Sequence, residues 1–302
     1  MTKHILLTGA TGFVGSQILS SLLDNDFSVT VVKRSSSDVS RLQFLKNKFQ
    51  YFDIDKTTLE EVFSNNEFDT VIHTATSFDN SKTSIAEQVE CNLTFGINLL
   101  QLSKEYGVTL FINTNTFFTK RDFKMQSSPY VLSKLQMAEW VKLYSKYFQC
   151  VDAILFHVYG EWDRDGKFFP WLLDKLKKED RIPLTSGQQF RDFVYVQDVV
   201  KAYLQLINNQ ILLSDYEQVE VGTGSLFSVR HAVQIVYDNF QFHGPPPVLG
   251  FGDVTLENSE MDSPPADINR LLELGWKPDY MLDGGVKKML DIQGLSKVSV
   301  HV

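Results

Sequence analysis

The chain has 302 residues, of which 43% are hydrophobic and 22% are charged, and its formal net charge is −8. This composition is typical of a globular protein with one large core or two smaller ones. The acidic balance argues against nucleic-acid binding, which needs clustered Lys and Arg. Cys91 and Cys150, the two cysteines, have no metal-like spacing and fit a reducing compartment. No run resembles a signal peptide or reaches the roughly 18 apolar residues of a membrane span, so we expect a cytoplasmic protein without metal or membrane.

Short apolar strands and longer amphipathic helices alternate along the first half of the chain. Strands are predicted at 5–7, 29–32, 51–52, 71–72, 110–112 and 153–156, and helices at 13–24, 59–63, 85–106 and 129–147. This order predicts an α/β fold with a doubly wound parallel sheet of the Rossmann type. Gly, Pro and aromatic residues become denser past residue 157. We therefore predict a Rossmann domain over 1–157, with return elements near 192–221, and a smaller C-terminal α/β substrate-binding lobe over 158–302.

The segment between the first strand and the first helix reads TGATGFVG over residues 8–15. In chain order, its three glycines allow a tight turn, close approach of the backbone to a pyrophosphate, and close packing of the helix on the strand. The helix N-terminus adds free N–H groups and a partial positive charge. We predict that this loop binds the pyrophosphate of a nicotinamide dinucleotide. The predicted loop ligands are Gly9, Thr11, Gly12, Phe13, Val14 and Gly15.

Two basic residues, Lys33 and Arg34, follow the second strand, where an acid usually binds the ribose 2′-hydroxyl of NAD. A base at this position suits a 2′-phosphate, so we predict NADP(H), with Arg34 as the main ligand and Lys33 assisting. The alternative is a pair of solvated charges. Asp53 and Ile54, at the end of the third strand, are predicted to meet the adenine, unless Asp53 caps a loop.

A Y-x-x-x-K pair, Tyr130 and Lys134, lies on the helix predicted from residue 129. Residues four apart share a helix face, so the Lys134 ammonium is expected near the Tyr130 phenol. A nearby positive charge lowers the pKa of a tyrosine and suits it to general acid–base catalysis. Thr114, at the carboxyl end of the fifth predicted strand, is expected to hydrogen-bond a substrate oxygen, with Asn115 and Thr116 as alternatives.

Together these motifs resemble the extended short-chain dehydrogenases/reductases, in the nucleotide-sugar epimerase/dehydratase branch. The resemblance covers nearly the whole chain. It also includes VIHTAT at 71–76, Asn92, HVYG at 157–160, RDFVYVQDVV at 191–200, VGTG at 221–224 and GWKP at 275–278. The segment NTNTFFTKRDF at 113–123, with its short spacer before Tyr130, is most similar to reductases of the 4-keto group of nucleotide-linked 4-keto-6-deoxyhexoses.

This resemblance implies roles for the matching residues. Thr114 would orient the sugar carbonyl, Tyr130 would donate a proton, and Lys134 would also hold the nicotinamide ribose. The residues lining the nicotinamide would be Ala75, His157 and Val158. The implied substrate contacts are Thr76, Thr116, Tyr130, Phe168 and Arg191. The guanidinium of Arg191 suits the diphosphate of a sugar nucleotide.

Some residues depart from the family pattern. Glu161 and Trp162 stand where many relatives have Pro-Gly, and an arginine common on the preceding strand is replaced near Ile154. These departures bear on substrate contacts and not on the acid–base pair. Trp162, with Phe168 and Phe169, either lines the base pocket or packs in the smaller lobe.

The cofactor distinguishes the possible functions. A reductase consumes one hydride per turnover and draws on an NADPH pool, whereas an epimerase returns the hydride, so Lys33 and Arg34 favour a reductase. We predict a homodimeric 4-ketoreductase of a CDP- or dTDP-linked sugar, active in deoxysugar biosynthesis such as that of O-antigens. The helices at 85–106 and 129–147 are expected to form the dimer interface. The alternatives are a nucleotide-sugar 4-epimerase or dehydratase and, in another class, a non-catalytic NADP(H) sensor.

Overall fold

The computed structural model describes residues 2–45, 48–78, 83–120, 128–255 and 262–297. The chain forms two compact units. The first comprises Met1–Leu155, Val200–Val221 and Asn269–Trp276. The second comprises Phe156–Val199, Gly222–Ile268 and Lys277–Val302.

The strands in the described part of the chain are β1 (His4–Thr8), β2 (Ser28–Lys33), β3 (Gln50–Asp53), β4 (Thr70–His73), β5 (Leu110–Thr116), β6 (Gln149–Leu155), β7 (His157–Tyr159), β8 (Arg181–Leu184), β9 (Phe190–Arg191), β10 (Phe193–Tyr195), β11 (Tyr216–Val221), β12 (Phe227–Ser228) and β13 (Val248–Phe251). The helices are α1 (Phe13–Asp24), α2 (Leu59–Ser64), α3 (Ile85–Val89), α4 (Phe95–Glu105), α5 (Pro129–Tyr144), α6 (Phe168–Lys178), α7 (Val196–Asn208), α8 (Val229–Asn239), α9 (Asn269–Glu273) and α10 (Leu282–Ile292).

The first unit is built on a seven-stranded parallel sheet with the order β11-β6-β5-β4-β1-β2-β3. Its central strands are rich in buried apolar residues because helices cover both faces of a parallel sheet. Leu6, Val71 and Phe111 from the sheet share one core cluster with Leu99 of α4 and Met137 of α5. The predicted doubly wound Rossmann sheet is confirmed. The strand order reverses between β1 and β4, the position at which such sheets bind ligands.

Local signals explain where the helices near the sheet edge begin. The Ser128 hydroxyl accepts a hydrogen bond from the Val131 N–H at 3.1 Å, and Pro129 occupies the first turn of α5. Ser84 forms a capping box with Glu87 at the start of α3. The helix predicted at 85–106 is present, but a π-helical turn over Glu90–Thr94 separates α3 from α4. Such turns occur frequently at functional sites.

In the described part of the second unit, β7 pairs with β10, β8 with β13, and β9 with β12. The buried carboxylate of Asp192 ties its segments together. It accepts hydrogen bonds from the backbone N–H groups of Thr223, Gly224 and Ala266 at 2.8–3.0 Å, and from the Thr223 hydroxyl at 2.7 Å. A buried carboxylate is stable when its oxygens are satisfied in this way.

The second half of the chain differs in detail from the expectation. In the region of the predicted return elements, α7 begins at Val196, and residues 190–195 form β9 and β10. Residues 192–199 belong to the second unit, since β10 pairs with β7, and the segments that return to the first unit are Val200–Val221 and Asn269–Trp276. No helix in the described ranges is both long and apolar enough to cross a membrane.

Candidate active site

The glycine loop follows β1 at the carboxyl edge of the sheet. Gly9 has a φ of 71°, and a Cβ there would lie 2.5 Å from the Ala75 nitrogen. A Cβ on Gly15 would lie 2.2 Å from the Gly9 carbonyl oxygen. Both positions therefore require glycine. Within the described residues, no side chain caps the N-terminus of α1, which begins at Phe13 after Gly12. A backbone cradle at an open helix N-terminus fits a dinucleotide pyrophosphate.

Hydrogen bonds between β1 and β4 hold the floor of this cradle. The Thr8 hydroxyl lies 2.8 Å from His73 Nδ1, and the Thr74 hydroxyl donates to the Thr8 carbonyl at 2.7 Å. Burial, assisted by the Lys134 charge, lowers the pKa of His73 to about 3. His73 is therefore neutral at physiological pH and fully buried, so it is a wall of the site and not its acid–base group.

Lys134 of α5 is a buried cation, with 2% of the residue exposed. Its Nζ donates to the Thr114 carbonyl at 2.8 Å and to the Thr76 hydroxyl at 2.9 Å. Burial lowers the pKa of Lys134 to about 8, against the opposing effects of Asp152 and Cys91. The side chain is therefore an ammonium below about pH 8 and can still donate a hydrogen bond to a ligand.

Tyr130 lies one helical turn before Lys134 and is half-buried. Its ring packs against Phe78, with 5.1 Å between the centroids. The Ser133 hydroxyl donates to the Tyr130 carbonyl at 2.8 Å, and the Asn92 amide donates to Ser133 Oγ at 3.1 Å. Because Asn92 lies in the π-helical turn, this turn supports the helix that carries Tyr130 and Lys134.

Two threonines stand on the same side of β5, since alternate residues of a strand share a face. The hydroxyl of Thr114 is 2.7 Å from the phenol oxygen of Tyr203 on α7, in a buried pair. The hydroxyl of Thr116 accepts a long hydrogen bond, 3.5 Å, from the Phe118 N–H at the end of the strand. Thr114 therefore holds Lys134 through its carbonyl, while its hydroxyl is hydrogen-bonded to Tyr203.

The expected adenosine ligands surround the ends of β2 and β3. The Lys33 ammonium forms an ion pair with Asp53, which also contacts Lys56 at 3.3 Å. Hydrogen bonding to Lys33 lowers the pKa of Asp53. The Ile54 N–H donates to the Lys33 carbonyl at 2.8 Å. Lys33 and Asp53, which were expected to contact different parts of the cofactor, are thus paired with each other, and Arg34 is exposed beside them.

Four expected ligands belong to the second unit. His157 and Val158 lie on β7, Phe168 begins α6, and Arg191 lies on β9. Burial lowers the pKa of His157 to about 3, with a smaller effect of Arg191, so the ring is neutral. The Arg191 guanidinium donates to the Phe190 carbonyl at 2.8 Å.

The other aromatic residues of this unit divide between core and surface. Phe168 packs against Phe169 and Phe193, and Phe169 is buried. Trp162 is 57% exposed with a φ of 65°, so it is not a core residue. Trp162 therefore does not pack in the core of the smaller lobe, which was one of its two expected roles. Phe169 packs there instead.

Tyr203 and Asp152 were not identified as site residues from the sequence. Tyr203 is 89 residues from Thr114 in the sequence, and only the tertiary fold brings its hydroxyl to that residue. Asp152 gave a usable signal, because it is a single acidic residue inside the apolar run CVDAILF at 150–156. A carboxylate in a central parallel strand needs partners, which the register supplies by placing Asp152 opposite Asn113. In the described part of the chain, no group of three or more His, Cys, Asp or Glu side chains forms a metal site.

Comparison with known proteins agrees with this geometry. Residues 5–222 match the NAD dependent epimerase/dehydratase family. The chain belongs to this family. It is 32% identical over 298 residues to the CDP-abequose synthase of Salmonella muenchen, covering 97% of this chain and 99% of that protein. It is 30% identical over 309 residues to a putative UDP-glucose 4-epimerase of Methanocaldococcus jannaschii, covering 95% and 97% of the two chains.

Solved structures share the fold. The ADP-L-glycero-D-manno-heptose-6-epimerase of Helicobacter pylori has a TM-score of 0.81 at 22% identity, with 96% of each chain covered. The UDP-glucuronic acid 4-epimerase of Bacillus cereus, solved with UDP-glucuronic acid and NAD, has a TM-score of 0.79 at 23% identity, with 95% of this chain and 98% of that one covered. The predicted family, the Rossmann fold and the assignment to nicotinamide-dependent enzymes are confirmed.

Proposed function

We propose that this chain is an NADPH-dependent reductase of the 4-keto group of a nucleotide-linked 4-keto-6-deoxyhexose. The observation that carries the proposal is the buried Lys134 ammonium, bonded to Thr114 and Thr76, one turn from Tyr130 and at the sheet edge that bears the glycine cradle. The full-length similarity to CDP-abequose synthases supports a reductase of this kind.

The proposed chemistry assigns a task to each side chain. A nicotinamide held beside Lys134 would supply the hydride that reduces C4 of the sugar. Tyr130 donates its phenolic proton to the oxygen of that carbon, and the Lys134 ammonium stabilises the phenolate that remains. Lys134 would also donate a hydrogen bond to the nicotinamide ribose. The other residues proposed to contact the nicotinamide are Ala75 of the first unit and His157 and Val158 of the second.

The second hydrogen bond to the sugar oxygen is assigned to Thr116. Thr114 was the first expectation, but its hydroxyl is committed to Tyr203. Thr116 lies two residues further along the same face and at the carboxyl end of β5, where ligands bind. Among the described residues, its hydroxyl has only a 3.5 Å contact to the Phe118 N–H, so it can turn toward a substrate oxygen at small cost.

NADP(H) as the cofactor rests on the charges beyond β2. Arg34 is exposed where a ribose 2′-phosphate is expected, and it would form a charge-assisted contact with that group. Lys33 contributes less directly, since it binds Asp53. Lys33 holds the Asp53 carboxylate by this ion pair and the Ile54 N–H through its own carbonyl, and both residues are assigned to the adenine.

The substrate is a CDP- or dTDP-linked sugar, with Thr76, Thr116 and Tyr130 at the sugar and Phe168 and Arg191 on the nucleotide side. A 4-epimerase or dehydratase is the second candidate, favoured by the 30% identity to a putative UDP-glucose 4-epimerase. The two candidates differ in whether the nicotinamide is consumed, because only a reductase oxidises one NADPH for each sugar.

We also propose a homodimer in the cytoplasm. On α5, Leu132, Trp140 and Leu143 are exposed and fall on one helix face. Ile85 and Val89 on α3 are exposed one turn apart. A second copy of the chain would cover these apolar side chains in a helical interface.

A thermal-shift panel tests the substrate class. The protein with NADP⁺ is heated with CDP-, dTDP-, UDP- and GDP-linked hexoses. A ligand at about 100 times its Kd stabilises the folded state by about 2.7 kcal/mol. The proposal predicts the largest rise in Tm for a CDP- or dTDP-linked sugar. A larger rise with UDP or GDP sugars would overturn the nucleotide assignment.

A further inference from the structure

We propose that Phe78 is a specificity-determining residue of this site. Its ring forms an apolar surface beside Tyr130 that accepts the C6 methyl group of a 6-deoxyhexose and disfavours a hydroxyl at C6. The inference rests on the proposed function for the position of the sugar at Tyr130. None of the tasks assigned above to Tyr130, Lys134 or Thr116 distinguishes a 6-deoxy sugar from one that carries the C6 hydroxyl.

The rings of Phe78 and Tyr130 are in direct contact. Their centroids are 5.1 Å apart and their planes are tilted by 32°, which is the spacing of an attractive aromatic pair. Both residues are half-buried, so each keeps part of its surface accessible to a ligand. A proton donor must come within hydrogen-bond distance of the atom that it protonates. A sugar whose C4 oxygen reaches the Tyr130 phenol therefore comes close to the Phe78 ring.

The segment of residues 76–78 passes along the first turns of α5. At its start, the Thr76 hydroxyl accepts a hydrogen bond from Lys134 Nζ at 2.9 Å, and at its end Phe78 packs on Tyr130. Lys134 is the residue assigned to the nicotinamide ribose, and Phe78 contacts α5 one helical turn away from it. The Phe78 ring is therefore assigned to the sugar and not to the cofactor.

Hydrogen bonds to the backbone hold Phe78 in this position. The fully buried side chain of Asn92 accepts from the Ser77 N–H at 2.7 Å and donates to the Ser77 carbonyl at 2.8 Å. The Gln88 amide donates to the carbonyl of Phe78 itself at 3.4 Å. The protein therefore sets the place of the ring before a sugar binds, and a preorganised surface costs less ordering when the ligand arrives.

The chemistry of the ring matches a methyl group better than a hydroxyl. A phenyl ring cannot replace the hydrogen bonds that a hydroxyl makes with water, whereas a methyl group has none to lose. In a 4-keto-6-deoxyhexose, the C6 methyl is attached to C5, and C5 is bonded to the reacting carbon C4. The methyl group is thus the apolar part of the sugar nearest to the atom that Tyr130 protonates. Phe78, packed on Tyr130, is placed to contact it.

The test is the ratio of Kd values for two sugars that differ only at C6. Calorimetry in the presence of NADPH compares dTDP-glucose with dTDP-6-deoxyglucose, and then the same two sugars linked to CDP. NADPH cannot reduce these 4-hydroxy sugars, so binding is measured without turnover. The wild type is expected to bind the 6-deoxy sugar about 10- to 100-fold more tightly, which is the discrimination that an apolar surface achieves against an added hydroxyl.

Three variants separate recognition from support of the fold. Phe78→Asn supplies an amide that can bond to a C6 hydroxyl, and it is expected to reduce the ratio to about threefold or less. Phe78→Leu keeps an apolar surface and is expected to retain the preference. Phe44→Asn is the same change at a phenylalanine that is 92% exposed in the segment Ser40–Leu45, and it should leave the ratio unchanged. A purely structural role of Phe78 would weaken the binding of both sugars and leave their ratio as it was.

A wild type that binds the two sugars equally would overturn the inference, and so would a wild-type ratio in Phe78→Asn. If Phe78→Asn does not fold, Phe78→Ala removes the ring and is expected to lower the same ratio, so an unchanged ratio there also contradicts the role. Failure of the proposed function is distinguishable. A protein that prefers 6-deoxy sugars but oxidises no NADPH keeps this inference and loses the reductase, whereas a reductase with a ratio near one does the reverse.

Discussion

At the scale of single residues, the site is organised around one buried cation. Lys134 has lost its water and gained two neutral oxygens, Thr114 O and Thr76 Oγ1, so its pKa lies near 8 instead of 10.5. An ammonium of this kind sits close to the balance between its two protonation states at working pH. Negative charge that develops on Tyr130, one turn away, would therefore favour the protonated form of Lys134.

Tyr130→Phe tests the proton donor. Removing the hydroxyl is expected to lower kcat by about 10²–10⁴-fold, the usual contribution of positioned acid catalysis, and to leave the Kd for NADPH nearly unchanged. Tyr144→Phe, later on the same helix, is the matched control and is expected to keep wild-type turnover. Kinetics within a few-fold of wild type in Tyr130→Phe would remove Tyr130 from the mechanism.

The two threonines of β5 are separated by a pair of variants. Thr116→Val is expected to lower kcat by about 10²–10³-fold, as for other donors to a developing oxyanion, without loss of stability. Thr114→Val leaves the buried Tyr203 hydroxyl without its partner and is expected to lower the free energy of unfolding by about 1–3 kcal/mol while kcat changes little. Steady-state kinetics and urea denaturation measure the two effects. The reverse pattern would return the catalytic role to Thr114.

The residue scale also shows which parts of the site could be predicted. Tyr130 and Lys134 lie on one helix, and helical periodicity alone brings them together. The partners of Asp152 depend on the register between β5 and β6, and the partner of Thr114 lies on α7, so neither follows from local spacing. The same limit applies to Lys33 and Asp53, whose pairing requires β2 and β3 to be adjacent.

At the scale of elements, the glycine loop and α1 form one rigid turn. Gly15 packs against the carbonyl of Gly9, and that carbonyl also accepts from the Gly12 N–H at 2.9 Å. The backbone therefore sets the distance between β1 and α1. The observed bounds of α1 are the predicted ones, residues 13–24. The glycine spacing accounts for the turn before the helix, because each glycine has a distinct steric reason.

Gly15→Ala tests this turn. The added Cβ would meet backbone at 2.2 Å, so α1 must shift and the Kd for NADPH is expected to rise by more than about tenfold. Gly107→Ala is the matched control, since its φ of 75° costs about 1 kcal/mol of stability but no atom lies within 4 Å of the new Cβ. Fluorescence titration should show normal NADPH affinity for the control. Equal affinities in both variants would argue against a role of the loop in cofactor binding.

Two elements were not predicted from the sequence, each for a physical reason. The π-helical turn adds one residue within an apolar helix, and hydrophobic periodicity over 85–106 cannot detect a shift that small. The segment 190–195 forms two short strands whose pairing with β12 and β7 is non-local. Short strands of this kind are specified by their partners more than by their own residues.

At the scale of the whole molecule, the two units are interleaved along the chain. The first segment of the first unit ends at Leu155. The later return of the chain to the first unit is harder to predict from sequence. The segment Asn269–Trp276 consists of a five-residue helix, α9, and a turn. Its anchor is the ion pair of Arg270 with Glu217 at 2.7 Å, which is not visible as a pattern.

The proposed dimer is tested at the same scale. Leu143→Lys places a charge on the exposed face of α5 and is expected to convert a dimer into a monomer, because a charge buried in an apolar interface is unfavourable. Leu272→Lys, at an exposed position of α9, should leave the mass of the assembly unchanged. Sedimentation gives both masses. A monomeric wild type would contradict the proposed interface.

The central claim is that the site held by Tyr130, Lys134 and Thr116 consumes its cofactor. The most direct measurement mixes the protein with NADPH and a CDP- or dTDP-linked 4-keto-6-deoxyhexose, following NADPH absorbance and the sugar product together. We predict one NADPH oxidised for each 4-hydroxy sugar formed, with no turnover in Tyr130→Phe. Interconversion of 4-hydroxy epimers with no net loss of NADPH would contradict the account and identify an epimerase.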